Sequence, residues 1–179
     1  VQTTEDAQRV QVADPERVAV ITQTTLSMDD TTAILQILKR RFPTLTFPPK
    51  DDICYATQNR QNAVKSIAKL AEVILVIGAR NSSNSIRLTE VAEGVGRRAY
   101  LINDTSEIDP GWFEGVRCVG VSSGASAPEY LVQNVVAYLK RLGAAHVEEW
   151  ELAREDVNFG LPIELDRLMA PAGSPRAAA

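Results

Sequence analysis

The chain has 179 residues, 45% of them apolar and 23% charged, with 19 basic against 23 acidic side chains and a net charge of -4. This is an ordinary globular composition, long enough for one domain or parts of two, and it excludes a wholly disordered chain. There is no Lys/Arg stripe of the kind a nucleic-acid binder carries, and no apolar run exceeds five residues, against the roughly 18 to 20 that a membrane helix needs. Two cysteines without a CxxC pair, beside a single histidine, exclude a disulfide scaffold and a self-contained zinc site.

The N-terminus has no basic stretch leading into an apolar one, so a cytoplasmic location is expected. The chain opens on Val1 without a plausible first strand, which reads as a start within a fold. The β-branched run 17–22 predicts a strand, and Ile34, Leu35, Leu38 and Phe42 then share one face of a helix. Pro43, Pro48 and Pro49 break the pattern and place a boundary between structural units near residue 50. Beyond it come a short strand at 53–55, a helix over 59–71 and the wholly apolar strand 73–77, which suggests a parallel sheet covered on both faces.

The alternation continues with a helix over 83–95, strands at 98–102 and 117–121, a helix over 127–142 and a last strand at 145–150. Strands and helices alternating at this spacing are βαβ units, so the fold class is α/β with parallel sheets flanked by helices. After Phe159 the periodicity fades, and the small-residue tail is expected to be disordered.

Three of the expected strand-to-helix loops share one chemistry: Thr22-Gln23-Thr24-Thr25-Leu26-Ser27, Asn81-Ser82-Ser83-Asn84-Ser85 and Ser122-Ser123-Gly124-Ala125-Ser126. Ligands of an open parallel sheet bind beyond the carboxyl ends of its strands, where helix N-termini offer N–H groups and partial positive charge. Small hydroxyl and amide side chains there suit a phosphate or diphosphate. The alternative is that each loop only caps its helix, since Ser27 with Asp30 resembles a capping box and Ser126-Ala127-Pro128-Glu129 has the S-x-x-E form. Three such loops at one edge favour a site over three caps. Cys54 is expected at a strand-to-helix junction, ahead of a helix that Thr57 could cap, and it reads either as filler or as a functional thiol. Cys118 reads as core, His146 as structural or exposed, and Trp112, Phe113 and Trp150 as packing residues.

Four segments in order, Thr22-Gln23-Thr24-Thr25-Leu26-Ser27-Met28-Asp29-Asp30-Thr31, Asp51-Asp52-Ile53-Cys54-Tyr55-Ala56-Thr57-Gln58-Asn59-Arg60-Gln61, Asn81-Ser82-Ser83-Asn84-Ser85 and Gly124-Ala125-Ser126-Ala127-Pro128, resemble the 4-hydroxy-3-methylbut-2-enyl diphosphate reductase family. The resemblance spans about residues 1–162. It implies reduction of that allylic diphosphate to isopentenyl and dimethylallyl diphosphate in the non-mevalonate isoprenoid pathway, with a [4Fe-4S] cluster and with ferredoxin or flavodoxin as electron donor. It also implies a trefoil of three similar α/β domains, of which 1–50 would be the remainder of the second, 51–165 the third and 166–179 a tail. Cys54 matches a cluster cysteine, and Thr24 matches the threonine that orients the substrate hydroxyl and relays a proton. Thr25, Ser82, Ser83, Asn84 and Ser126 match the polar pocket, with Ser82, Asn84 and Ser126 on the diphosphate.

The family's first domain is not matched, nor two cluster cysteines, the pocket histidines and the proton-donating glutamate. The chain alone is therefore expected to be inactive. A fragment held by a missing N-terminal segment, a naturally split enzyme and a cluster-free diphosphate-binding or scaffold module are the three readings that follow.

Overall fold

The computed structural model describes residues 1–48, 52–152 and 165. The expected boundary at residue 50 and the tail 166–179 lie outside the described residues. The centre of the fold is a parallel sheet of three strands, β1 (Val73–Ile77), β2 (Arg98–Ile102) and β3 (Val119–Ser123), in the order β2-β1-β3. The register pairs Ile77 with Ile102 on one side and with Ser123 on the other.

All five residues of β1 are buried, and the period of two assigns them to opposite faces. Ile74 and Val76 pack with Val64, Ala68, Leu88 and Ala92, which come from α3 (Tyr55–Ile67), its C-cap and α4 (Ser83–Gly94). Val73, Leu75 and Ile77 pack with Ile102, Ile108 and Val135, the last from α5 (Glu129–Arg141). The result is helix, sheet, helix in three layers, as a strand apolar on both faces requires. Gly120 in β3 lets α3 lie close, because a Cβ there would overlap Ile67 and stand 2.6 Å from Ile74. α4 stops at Gly96, whose φ of 81° is the left-handed conformation that ends helices cheaply only in glycine.

Residues 1–48 form a smaller unit of α1 (Thr4–Arg9) and α2 (Met28–Arg41) around Ala7, Leu38, Phe42 and Leu45. α1 has no counterpart in the sequence reading, although Thr3 and Asp6 form a reciprocal capping box that starts it. The strand expected at 17–22 reduces to a single parallel bridge, Ala19 with Thr46, because among the described residues it finds only that one short neighbour. Among the described residues there is therefore one sheet, with an isolated bridge outside it.

Two further expected strands are absent. Residues 53–55 leave a bend and enter α3 directly, so α3 begins at Tyr55 rather than at 59. Residues 145–150 are exposed and irregular and pair with none of the three strands; Trp150 instead donates from Nε1 to Ser66 Oγ at 3.2 Å. β3 sits two residues later than expected, which leaves Cys118 exposed before the strand rather than in the core. Among the described residues no helix is long and apolar enough to cross a membrane.

Candidate functional site

Because β1 is central, its chain leaves toward β2 through α4, while β3 pairs on its other side. The carboxyl ends of β1 and β3 thus bound the crevice where open α/β sheets take their ligands. Gly78 follows β1 and donates its N–H to Ile102 O at 2.9 Å; Gly124 follows β3 and donates to Ile77 O at 2.8 Å. Two of the three hydroxyl-rich loops leave from these glycines, side by side at one edge.

α4 starts in this crevice. Ser82 is its N-cap, and Ser82 Oγ accepts from the Ser85 N–H at 3.4 Å and from Ser85 Oγ at 3.0 Å. Asn84 is 7% exposed, yet neither Nδ2 nor Oδ1 has a hydrogen-bond partner. A buried amide left unpaired costs roughly 1–3 kcal/mol, and such orphans mark places where something else completes the bonding. The amide sits against the end of β3: a Cβ on Gly124 would stand 3.7 Å from Asn84 Nδ2 and would overlap Ser85 Oγ. Ser83 is exposed at the same helix start.

Ser126 is exposed in the loop after β3 and is not a cap. α5 begins at Glu129 with Pro128 as its N-cap and no side-chain capping bond. The S-x-x-E pattern fails here because the residue before a proline avoids the helical region, so no helix runs through Ala127-Pro128. The other expected caps divide. Ser27 Oγ does accept from the Asp30 N–H at 3.3 Å, whereas Thr57 is buried inside α3, and the N-cap position belongs to Cys54, which makes no side-chain capping bond.

The third loop forms a second group. The Cys54 N–H donates to Thr24 O at 3.0 Å, so the exposed thiol and the exposed Thr24 stand on adjoining loops, with Thr25 half-buried next to them. Asp52 Oδ2 accepts from the Thr22 N–H at 2.8 Å. Gln61, 1% exposed, donates from Nε2 to Leu26 O at 2.8 Å and accepts from the Met28 N–H at 3.1 Å, fixing that loop to α3. Arg87 of α4 reaches Asp30 of α2 at 3.4 Å and ties the two helix starts together.

Arg80, just ahead of Asn81, is paired at 3.0 Å with Glu107, which also accepts from the Asn103 N–H at 3.1 Å and from Asn103 Nδ2 at 2.7 Å. These bonds, the Asn103 amide foremost, hold the Glu107 carboxyl below the usual glutamate range. Sequence reasoning placed Ser85, Gln61 and Gly124 within its segments but gave them no role of their own, and it did not single out Gly78. Gln61 was discoverable as a polar member of the buried helical row Thr57, Gln61, Val64 and Ala68.

Cys54 is one thiol, and among the described residues no three His, Cys, Asp or Glu side chains converge as a metal site. A four-iron cluster takes three or four thiolates. The described residues therefore do not fit the whole group, and what they offer chemically is a set of hydroxyl and amide groups at the start of α4 with a thiol on the neighbouring loop.

A family model described as LytB protein matches residues 1–140. The chain is 55% identical over 172 residues to the 4-hydroxy-3-methylbut-2-enyl diphosphate reductase of Acidothermus cellulolyticus, a match covering 96% of this chain and 51% of the relative. It is 52% identical over 165 residues to the reductase of that name in Aeromonas salmonicida, covering 92% and 53%. Among solved structures, the E-1-hydroxy-2-methyl-but-2-enyl-4-diphosphate reductase from Plasmodium falciparum superposes with a TM-score of 0.85 at 30% identity, over 94% of this chain and 54% of that one. The chain spans about half the length of the curated relatives it matches. From a family match over residues 1–140 and identities above 50% across nearly the whole chain, it follows that this chain belongs to the LytB family.

Proposed function

We propose that this chain supplies the diphosphate-binding part of a 4-hydroxy-3-methylbut-2-enyl diphosphate reductase, which converts that substrate to isopentenyl and dimethylallyl diphosphate. The observation that carries the reading is the buried, unpartnered amide of Asn84 at the mouth between β1 and β3. In this reading Asn84 Nδ2 and the hydroxyls of Ser82 and Ser126 donate to diphosphate oxygens, and the start of α4 adds its partial positive charge. The reading adds Ser83 at the same helix start and Thr25 on the neighbouring loop to the polar pocket. Rigid neutral donors hold the anion in one pose, which supplies orientation for a reaction at the other end of the substrate.

Thr24 and Cys54 belong to that other end, joined by the backbone bond between their loops. Thr24 is assigned the substrate hydroxyl and its proton, and Cys54 one thiolate toward a [4Fe-4S] cluster. The remaining thiolates lie outside the described residues, and no step through the cluster follows from this chain. The reading also takes in the two-domain division 1–50 and 51–165 of a trefoil, a cytoplasmic location and an electron supply from ferredoxin or flavodoxin.

The test is calorimetric titration of the full-length protein with inorganic pyrophosphate, for the wild type and Asn84→Ala. Binding by the wild type that weakens at least about tenfold in the variant is expected from the loss of a charge-assisted bond. No binding by the wild type, or equal binding by both, would remove the reading.

A cluster-free diphosphate-binding module is the second reading, favoured by the lack of a converging ligand set among the described residues. Iron and acid-labile sulfide on anaerobically prepared protein separate the two. About four irons per protein support the reductase, and none, with pyrophosphate binding retained, supports the module. On either reading this chain by itself is expected to show no reductase turnover above background.

A further inference from the structure

The Asn84 amide and the Ser82 hydroxyl flank one residue that the site reading does not use. Ser85 is 1% exposed, and its Oγ fills the gap between the two crevice glycines: a Cβ on either Gly78 or Gly124 would overlap it. The bond its side chain makes goes to Ser82 Oγ at 3.0 Å, and its own N–H goes to the same oxygen at 3.4 Å. A hydroxyl oxygen has two acceptor sites and one proton. When Ser85 donates to it through both its N–H and its hydroxyl, the Ser82 proton is left to donate, and an anion bound beyond the strand ends would accept it.

We propose that Ser85 is a positioning residue for the anion site, turning the Ser82 hydroxyl into an obligate donor toward a diphosphate oxygen. This rests on the diphosphate reading of the crevice. With an anion in place the donors run in sequence, Ser85 to Ser82 to the anion, and a chain of hydroxyl bonds of this kind strengthens each member. The glycines have a part in this device, since a Cβ at either position would overlap Ser85 Oγ. Alanine at 85 keeps the Cβ and removes the bond.

The test is a double-mutant cycle on the full-length protein with inorganic pyrophosphate as the probe: wild type, Ser82→Ala, Ser85→Ala and the double variant. Ser85→Ala alone is expected to weaken binding by about fivefold to tenfold, the value of one hydrogen bond. In the Ser82→Ala background the same change is expected to have no further effect, because the hydroxyl it orients is gone. An equal factor in both backgrounds means that Ser85 only supports the fold, and overturns the proposal. Ser85→Cys retains a side-chain atom at the γ position with a weaker donor and serves if alanine fails to fold: its pyrophosphate affinity is expected to be below that of the wild type, and wild-type affinity in that variant would also overturn the proposal. A wild type that binds no pyrophosphate removes the diphosphate reading itself, whereas a binding wild type with an unaffected Ser85→Ala removes only this inference.

Discussion

The cost of an unpaired amide makes Asn84 a residue whose value to binding and to folding have opposite signs. Replacing it with leucine, of similar size, removes two orphaned polar atoms from a buried place. Asn84→Leu is therefore expected to leave stability unchanged or raise it by about 1 kcal/mol while abolishing pyrophosphate binding. A thermal melt beside the titration checks this, and a melting temperature several degrees lower would show that the amide has a structural partner. At this scale the sequence was informative about chemistry and less so about role. The hydroxyl and amide loops were legible as polar strand-to-helix connections, two of them at the carboxyl ends of β1 and β3, and Ser27 was legible as a cap. The capping alternative for Ser126 fails because the S-x-x-E motif does not weigh the conformational restriction imposed by Pro128. Ser85 stood in one of those loops without a task of its own, because only the close approach of two glycines distant in sequence sets it apart.

Among elements, the expected bounds held for β1 and β2, where an apolar or β-branched run is cut off sharply, by Gly78 after β1 and by Gly96 before β2. They failed for 17–22 and 145–150. A helix closes its bonds within itself, whereas a strand needs an edge supplied from elsewhere, and no local pattern reveals whether that edge exists. The sheet that does form is pinned at both ends by carboxylates. Glu72 accepts from the Arg117 N–H at 2.7 Å before β1 and β3, and Glu107 holds Asn103 and Arg80 beyond β2 and β1. The Arg117 backbone bond holds Glu72 below the usual range, as the Asn103 side chain chiefly does for Glu107. A carboxyl depressed in the folded state stabilises it above the unfolded value and ceases to do so as pH falls through the folded one. The loss is thus expected in acid, from the ordinary glutamate value of about 4.5 downward. Glu107→Gln and Glu72→Gln should each flatten the acid limb of a stability-versus-pH curve; an unchanged limb in both would show that these exposed bonds contribute nothing.

Across the whole molecule, residues 1–48 are joined to the three-layer unit chiefly by polar contacts to one loop and one helix start. Gln61 carries the buried part of that junction, with both amide atoms on the backbone of Leu26 and Met28. Lys65 with Asp29 at 2.7 Å and Arg87 with Asp30 are more exposed and correspondingly weaker. Gln61→Leu would strand a C=O and an N–H, and is expected to cost about 2 kcal/mol and to loosen the Thr24 loop ahead of the sheet. Faster hydrogen exchange at the Met28 amide, with the β1 amides unchanged, is the outcome to look for. Equal acceleration at both sites would mean that the two units open together.

The central position of β1 has a consequence for biosynthesis. Val-Ile-Leu-Val-Ile is an uncharged, β-prone pentapeptide without proline, the composition of segments that recruit identical strands into aggregates. Its second neighbour, β3, leaves the ribosome only after α4, β2 and the connecting loop, which at about 5–20 residues per second is an interval of a few seconds. For that time one edge of the most apolar strand among the described residues stays open, and slower synthesis is expected to lower the yield of native protein.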